Sequence, residues 1–379
     1  MTTAATRFPA ARYGKRLSRA AELGAAAGLD ALLITPGPDL RYLTGSRAAS
    51  FERLTCLVIP TDGSTPSVVV PRLELASLRE SAIGELALPV HDWVDGQDPY
   101  AVVRELVPAA TAVAVAEAMP ALHLVPLTDR FGTAPSLATA VIRELRMVKD
   151  EDEIAALRRA GAAIDRVHAR MGEWLRPGRT EAEVAADITA AIVEEGHTEA
   201  DFVIVGSGPH GADPHHEVSD RVVEAGDIVV VDIGGPVEPG YYSDSTRTYS
   251  LGDPDPEIAA RIAILEQAQR AAVEAVRPGV RAEAVDAAAR DVLTAAGYGE
   301  VFVHRTGHGI GLSVHEEPYI VAGNDDELRP GMAFSIEPGI YFRGEWGARI
   351  EDIVVVTEDG CEPMNRQPHG LTVLPGTDA

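Results

Sequence analysis

Hydrophobic positions in the first part of the chain alternate between helical and strand-like spacing. An alanine-rich segment at residues 17–27 has the pattern of a helix, and short apolar runs follow at residues 31–34, 56–59 and 67–70. Alternating helices and apolar strands are typical of α/β domains. We therefore predict an α/β domain over residues 1–147.

The hydrophobic pattern changes after this region. Asp150 and Glu153 have the spacing of a capping box, and apolar residues at helical spacing follow from Ile154 to Met171. At 379 residues the chain is also longer than one compact domain usually is. We place a boundary before this helix, so that residues 148–379 form a second domain.

The second domain contains an internal repeat. Arg176-Pro-Gly178 recurs as Arg277-Pro-Gly279, an offset of 277 − 176 = 101. The same offset relates three further pairs, which are Val184 with Val285, Gly196 with Gly297, and Gly206 with Gly307. Each half is therefore predicted to run from a turn through a helix and a glycine to a strand.

Each half also carries two carboxylates at equivalent positions. An offset of 337 − 232 = 105 pairs Asp232 with Glu337, and an offset of 351 − 244 = 107 pairs Asp244 with Glu351. A single buried acid most often forms a salt bridge or a helix cap. Four acids at repeat-equivalent positions favour a shared metal site instead.

The residues around Asp232 predict a hairpin. The apolar, β-branched stretch Ile228 to Ile233 indicates a buried strand with Asp232 at its end, where an unpaired carboxylate would be costly. Glycines and prolines at residues 234–240 predict a turn, and residues 241–249 would return as a partner strand carrying Asp244. Such a hairpin would place both acids on one face.

His308 is the candidate imidazole ligand. It lies in Thr306-Gly-His-Gly-Ile-Gly311, at the position that Ser207 has in the first half. A lone histidine is usually structural, but here only the second half has a metal-competent side chain. Carboxylates with one imidazole suit manganese, and also cobalt, iron or zinc. Two such ions about 3.5–4 Å apart with a shared water are an arrangement used for hydrolysis.

Other histidines lie near these motifs. His215, His304 and His315 are candidates to donate to a carbonyl oxygen or to shuttle protons, and His210 and His216 have a weaker case. For each of the five, a solvated loop histidine is the competing interpretation.

Net charge, the length of apolar runs and the number of cysteines exclude some classes of protein. A net charge of −25 disfavours nucleic acid and anionic membrane surfaces as partners. No run of eighteen apolar residues occurs, so we expect neither a membrane span nor export. Cys56 and Cys361 are too few and too far apart to suggest disulfides or a thiolate site, which favours the cytoplasm.

The second domain resembles the pita-bread metallopeptidases over about residues 140 to 365. Five motifs carry the resemblance in the family's order: Val231-Asp-Ile-Gly234, Tyr242-Ser-Asp-Ser-Thr-Arg-Thr248, Thr306-Gly-His-Gly309 with Val314-His-Glu-Glu-Pro318, Ser335-Ile-Glu-Pro-Gly339 and Arg349-Ile-Glu-Asp352. The first domain, with Asp39-Leu-Arg-Tyr-Leu-Thr-Gly45, resembles the creatinase/prolidase N-terminal domain. The fold class that this implies is an α/β domain followed by an α+β pita-bread domain with a pseudo-twofold repeat.

The resemblance also implies roles for particular residues. It implies two divalent ions, with Asp244 and Glu351 bridging both, held by the set Asp232, Asp244, His308, Glu337 and Glu351. It implies that His215, His304 and His315 line the substrate cleft and that Glu337 helps to move a proton. Thr246 and Arg349 would orient the ligands.

The implied reaction is hydrolysis of an Xaa-Pro bond in dipeptides or short peptides, by attack of a metal-bridging hydroxide. An Xaa-Pro aminopeptidase (aminopeptidase P) acting on longer peptides is the main alternative. A metal-free binding protein or a creatinase-like protein is a remote one, because creatinase-like proteins lack the acidic ligand set. The resemblance further implies a homodimer.

Overall fold

The computed structural model describes residues 7–49 and 51–376. By its internal contacts the chain divides into two compact units, Met1–Arg146 and Met147–Ala379. Among the described helices, none is both long and apolar enough to cross a membrane.

The first unit is an α/β structure built on one mixed sheet with strand order β4-β3-β2-β1-β5-β6. Its strands are β1 (Ala31–Ile34), β2 (Cys56–Pro60), β3 (Ser67–Pro71), β4 (Val90–Trp93), β5 (Val113–Val115) and β6 (Ser136–Leu137). Its helices are α1 (Ala10–Ala26), α2 (Pro38–Thr44), α3 (Pro99–Leu106), α4 (Ala121–Phe131) and α5 (Thr139–Arg146). The sheet is mixed because β1 pairs antiparallel with β2 and parallel with β5.

The apolar runs of this unit form strands as predicted, within one residue at their ends. The predicted start of the first helix is wrong by seven residues, since α1 begins at Ala10 rather than Leu17. Its buried face includes Tyr13 in the part that the prediction left out. Pro9 precedes the first turn, a position that tolerates proline because no helical N–H is needed there.

The second unit contains α6 (Glu151–Ala169), α7 (Glu181–Glu194), α8 (Pro256–Ala275) and α9 (Ala282–Ala295). Its strands are β7 (Phe202–Ser207), β8 (Ile228–Val237), β9 (Tyr241–Leu251), β10 (Gly307–Gly309), β11 (Glu316–Ile320), β12 (Ala333–Ile336), β13 (Gly339–Phe342), β14 (Trp346–Arg349), β15 (Asp352–Val356), β16 (Cys361–Pro363) and β17 (Thr372–Leu374). They form sheets with the orders β17-β9-β8-β7, β11-β10-β12-β15-β16 and β13-β14. The capping box predicted at Asp150 and Glu153 is present at the start of α6.

The internal repeat is visible in the backbone. The helices α7 and α9 begin and end at residues related by the same offset, 282 − 181 = 295 − 194 = 101. Before α7, Thr180 forms an antiparallel bridge with Val222, and before α9 Arg281 forms the equivalent bridge with Glu327. Each half packs its helices over its own apolar core.

The predicted end of the strand at Asp232 is wrong. Strand β8 continues to Val237, because Gly234 to Val237 pair with Asp244 to Tyr241 of β9. Only residues 238–240 form the turn. Asp232 therefore lies in the middle of a buried strand rather than at its end.

Strand β9 is also held to α6 by a buried imidazole. His168 Nε2 donates to the carbonyl oxygen of Ser245 at 3.2 Å, so Nδ1 must accept, and it does so from the Tyr249 hydroxyl at 2.9 Å. Burial lowers the pKa of His168 to about 3, which keeps this ring neutral.

We predict that Tyr249→Phe lowers the free energy of unfolding by about 1–3 kcal/mol, because a buried imidazole nitrogen loses its donor. Denaturant unfolding of the purified protein measures this change. Tyr298→Phe is the matched control, since within the described ranges the Tyr298 hydroxyl has no hydrogen-bond partner. Equal stabilities of the two variants would contradict the assignment.

Candidate metal centre

Two acids of the first half lie on one face of the β8–β9 hairpin. Asp232 is paired with Thr246, and Gly234 is paired with Asp244. Paired residues share a face in an antiparallel sheet, and so do residues two apart on one strand. The carboxylates of Asp232 and Asp244 are therefore diagonal neighbours on the same face, as the hairpin prediction required.

The acids of the second half follow the ends of another strand pair. Ile336 is paired with Asp352, which leaves Glu337 and Glu351 as the next opposed positions. The backbone N–H of Glu351 donates to the carbonyl oxygen of Thr246 at 3.1 Å, and the Thr246 hydroxyl donates to Glu351 Oε2 at 2.7 Å. These bonds join the two halves at the point where their acids meet.

His308 lies on strand β10 between Gly307 and Gly309. Only glycine at these two positions lets the strand pack so closely against its neighbours. A Cβ at Gly307 would lie 1.8 Å from the carbonyl oxygen of Ser335, and one at Gly309 would lie 2.3 Å from that of Glu317. His308 Nδ1 donates to the Gly309 carbonyl oxygen at 3.1 Å. In the neutral ring Nε2 is then an acceptor, directed at Glu337 Oε1 at 3.3 Å and Asp244 Oδ2 at 3.6 Å.

Burial and mutual repulsion disfavour charge on these acids in the protein alone. Burial raises the pKa of Asp244 and of Glu351 well above their ordinary values, and the neighbouring carboxylates raise both further. Burial raises the pKa of Glu337 to about 7, against the opposing effect of Arg349. Burial lowers the pKa of His308 to about 3, so the imidazole supplies no positive charge.

Two oxygens of the group have no partner among the described residues. Asp232 Oδ1 and Glu351 Oε1 are both fully buried and accept no hydrogen bond. Buried acceptors of this kind are costly unless a cation or a donor meets them. Since atoms of Asp244, His308 and Glu351 also lie within 4.8 Å of one another, the residues fit a divalent metal ion.

A cavity of about 800 Å³ opens onto this group. The predicted site residues that line it are His215, Asp232, Asp244, His304, His308, His315, Glu337, Arg349 and Glu351. Thr246 lies behind the cavity wall, where it contacts Glu351 and Arg349. His210 and His216 are not part of the lining and form a separate cluster with Glu181.

Arg349 is the cation nearest the acids. Its guanidinium donates to Asp232 Oδ2 at 2.5 Å, to the Thr246 hydroxyl at 3.1 Å and to the Tyr341 hydroxyl at 2.9 Å. One guanidinium cannot neutralise four carboxylates, so Arg349 fixes Asp232 without removing the need for further positive charge.

Tyr341 is a functional candidate that the sequence analysis missed. Its hydroxyl accepts from Arg349, so its single proton is donated to His304 Nε2 at 2.9 Å. His304 Nδ1 donates to the Arg305 carbonyl oxygen at 2.7 Å. Both nitrogens of His304 are thus occupied. In the sequence, a tyrosine in an apolar strand has the pattern of a core residue. Its polar role becomes visible only from the hydrogen bond that Arg349 donates to its hydroxyl.

The outer part of the cavity has residues that no motif signalled. Phe202, Ile204 and Val303 give it an apolar side, and Arg305 and Asp201 add charges of opposite sign. Hydrophobic residues on β7 carry no chemical signature in the sequence, because buried and cavity-lining positions of a strand have the same composition. Their place beside the acids is decided by the packing of the two halves.

Comparison with known proteins gives two family matches. The model for metallopeptidase family M24 matches residues 155–358, and the model for the creatinase/prolidase N-terminal domain matches residues 16–148.

Full-length relatives agree with these matches. A probable dipeptidase PepE of Mycobacterium tuberculosis is 67% identical over 370 residues, which is 97% of this chain and 98% of the relative. An Xaa-Pro dipeptidase of Lactobacillus helveticus is 35% identical over 89% of this chain and 93% of its own length. The crystal structure of dipeptidase PepE from Mycobacterium ulcerans, 66% identical, superposes with a TM-score of 0.94 over 97% of this chain and 100% of that one. The predicted family resemblance and fold class are confirmed.

We predict that divalent metal affinity rises with pH through about 7. Metal binding requires ionised carboxylates, and in the metal-free protein the pKa of Glu337 is raised to about 7. Below that pH a proton competes with the ion, so Kd should weaken about tenfold per pH unit for each proton displaced. Calorimetric titration of metal-free protein with Mn²⁺ at pH 6, 7 and 8 measures this. A constant Kd with no heat of proton release to the buffer would contradict it.

Proposed function

Because the chain belongs to metallopeptidase family M24, we propose that it hydrolyses the Xaa-Pro bond of dipeptides. The observation that carries this proposal is the group of four carboxylates, of which Asp232, Asp244 and Glu351 are buried, and one neutral imidazole at the wall of a cavity of about 800 Å³. The Lactobacillus helveticus relative, which is described as an Xaa-Pro dipeptidase, supports the substrate class. A space of this size suits a short peptide rather than a folded protein.

Asp232, Asp244, His308, Glu337 and Glu351 are the proposed ligands of two divalent ions. As the family resemblance implies, Asp244 and Glu351 would each hold both ions, and they are the two most buried of the four acids. Oxygen ligands with a single imidazole favour Mn²⁺, with Co²⁺, Zn²⁺ and Fe²⁺ as alternatives. The unpartnered oxygens of Asp232 and Glu351 support this assignment.

When bound, the ions would polarise the scissile carbonyl and activate a water molecule. The protein's own side chains would transfer the protons. Glu337, whose side chain reaches the cavity, would take the proton of the water and pass it to the proline nitrogen, which must be protonated on leaving.

The three cavity histidines divide into two groups. His215 and His315 have ring nitrogens without a protein partner in the described part of the chain, so they are free to donate to the substrate carbonyl. His304 has both nitrogens occupied and acts through Tyr341 and Arg349 on Asp232. We assign His304 as a positioning residue beside the substrate rather than a proton carrier.

The proposed setting is a cytoplasmic homodimer that acts on short proline-containing peptides. Cys56 and Cys361 are both free thiols, which is typical of a reducing compartment. The net charge of −25 supports neither nucleic acid nor an anionic membrane as a partner.

We predict that the Mn²⁺-loaded protein releases proline from Xaa-Pro dipeptides and leaves the matched Xaa-Ala dipeptides nearly uncut. Xaa-Pro-Yaa tripeptides separate the dipeptidase from the aminopeptidase, because only an aminopeptidase accepts residues beyond proline. Chromatographic product analysis measures all three. Faster cleavage of Xaa-Pro-Yaa than of Xaa-Pro would replace the dipeptidase assignment with the aminopeptidase one.

We predict that Glu337→Gln lowers kcat by about a hundredfold or more, the usual contribution of a general acid-base group. Glu345→Gln is the matched control, since Glu345 is exposed and lies outside the cavity. Metal content is measured for each variant. Near-normal turnover of Glu337→Gln with metal bound would remove Glu337 from the mechanism.

A further inference from the structure

A second cluster of metal-competent side chains lies away from the cavity. Glu181 is the first residue of α7, and His210 lies in the short 3-10 segment Gly208–Ala212. Together with His216 they place ligand atoms within 4.8 Å of one another. The cavity lining includes none of the three, so this cluster is separate from the candidate metal centre.

The two imidazoles converge on one carboxylate. His210 Nδ1 lies 3.1 Å from both oxygens of Glu181, and His216 Nε2 lies 2.8 Å from Oε2. The rings pack with centroids 4.3 Å apart. In a tetrahedral zinc site, bonds of about 2.0–2.2 Å place neighbouring ligand atoms roughly 3.3 Å apart. The two imidazole–carboxylate distances therefore need to grow by only a few tenths of an ångström to admit an ion, and the ligand nitrogens of the two rings already lie within 4.8 Å of each other.

The carboxylate of Glu181 is rigidly held. It is fully buried and accepts from the backbone N–H of Ser207 at 2.9 Å, from the Ser207 hydroxyl at 2.6 Å and from the Ser219 hydroxyl at 2.7 Å. Burial opposes its ionisation, but these bonds and His216 hold its pKa down to about 2. Outer hydrogen bonds of this kind orient carboxylate ligands in metal sites.

The cluster is open on one side. The His210 side chain is 37% exposed and that of His216 is 12% exposed, whereas Glu181 has no exposure. An ion could enter past His210 and keep water as a further ligand. The remaining nitrogen of each ring has no partner among the described residues, so it is free to carry the ring proton once the other nitrogen binds metal.

The charged neighbour of the cluster does not prevent binding. Arg221 donates to the Ser207 hydroxyl at 2.6 Å, but its guanidinium is paired with both oxygens of Asp227 at 2.6 and 3.0 Å. The cluster also has no counterpart in the second half, where the repeat-equivalent of Glu181 is Ala282 (282 − 181 = 101). The three side chains are thus a feature of the first half alone.

We propose that Glu181, His210 and His216 form an additional divalent transition-metal site with two histidines and one carboxylate, which takes Zn²⁺. Two imidazoles and one carboxylate are a ligand set that Zn²⁺ accepts with water in the fourth position. His216 directly follows His215 of the cavity, and the Pro214 carbonyl oxygen accepts from Arg349 at 3.3 Å. A bound ion would therefore fix the segment that presents His215.

The competing role is a hydrogen-bonded cluster without an ion, in which both imidazoles only donate to Glu181. His216→Gln separates the two roles, because the glutamine amide replaces Nε2–H as a donor but has no lone-pair nitrogen for a metal. His210→Asn does the same for Nδ1. The control is His91→Gln, which removes a half-buried histidine of the first unit and leaves the cluster intact.

The experiment is equilibrium dialysis of the full-length protein and each variant against buffered free Zn²⁺, followed by elemental analysis. We expect the wild type and His91→Gln to bind one equivalent more than His216→Gln and His210→Asn. Circular dichroism checks the fold of each variant, and either cluster variant alone suffices for the comparison.

Equal zinc content in the wild type and a folded cluster variant would overturn the proposal and leave the hydrogen-bonded role. An equal loss in His91→Gln would overturn it too, since it would mean that zinc binds scattered histidines. Because the comparison is a difference in zinc content between folded variants, it does not depend on peptidase activity.

Discussion

The second unit is organised around the burial of like charges. Asp232, Asp244, Glu337 and Glu351 share one small volume together with a neutral imidazole whose lone pair is directed at two of them. In a low-dielectric interior such acids either bind protons or require a cation. The raised pKa values of Asp244, Glu337 and Glu351 mean that these acids favour the protonated form in the metal-free protein. A divalent ion would relieve the same repulsion and keep the carboxylates ionised.

This constraint explains features that are otherwise unrelated. Every residue of strands β8 and β9 except Tyr242 is buried, and this hairpin presents Asp232 and Asp244 at the cavity wall. The Thr246 bridge to Glu351 locks the two halves in register. Arg349 neutralises one acid and, through Tyr341, fixes the ring of His304. Each of these contacts reduces the freedom of a group that would otherwise move away from its neighbours.

The sequence predicted the four acids of this site because the internal repeat places a carboxylate at equivalent positions in both halves. Asp232 and Glu337 occupy matched positions, and so do Asp244 and Glu351, so pairwise comparison within one chain found all four acids. The ends of strands were harder to predict. The segment from Gly234 to Val237 contains turn-forming residues, but it stays extended because it pairs with strand β9. Local propensity is a weak guide where a long partner strand supplies hydrogen bonds.

Long-range polar pairs could not be predicted from the sequence. Tyr341 reaches His304 across 37 residues, and Lys149, one of only two lysines, donates to Glu316 across 167 residues at 2.5 Å. Neither residue has a local pattern that distinguishes it from a core tyrosine or a surface lysine. Such pairs depend on how distant segments pack against each other, which the sequence specifies only through the complete fold.

The two clusters of carboxylate and imidazole differ in one respect that decides their chemistry. At His308 an acceptor nitrogen faces carboxylate oxygens, so the arrangement is unfavourable unless an acid is protonated or a cation enters. At Glu181 two N–H groups and two serine hydroxyls face one carboxylate, so it is already satisfied. An ion entering the first site relieves repulsion, whereas one entering the second must replace hydrogen bonds. The candidate metal centre should therefore fill first as metal becomes available, and the Glu181 cluster should respond only to a higher concentration of free ion.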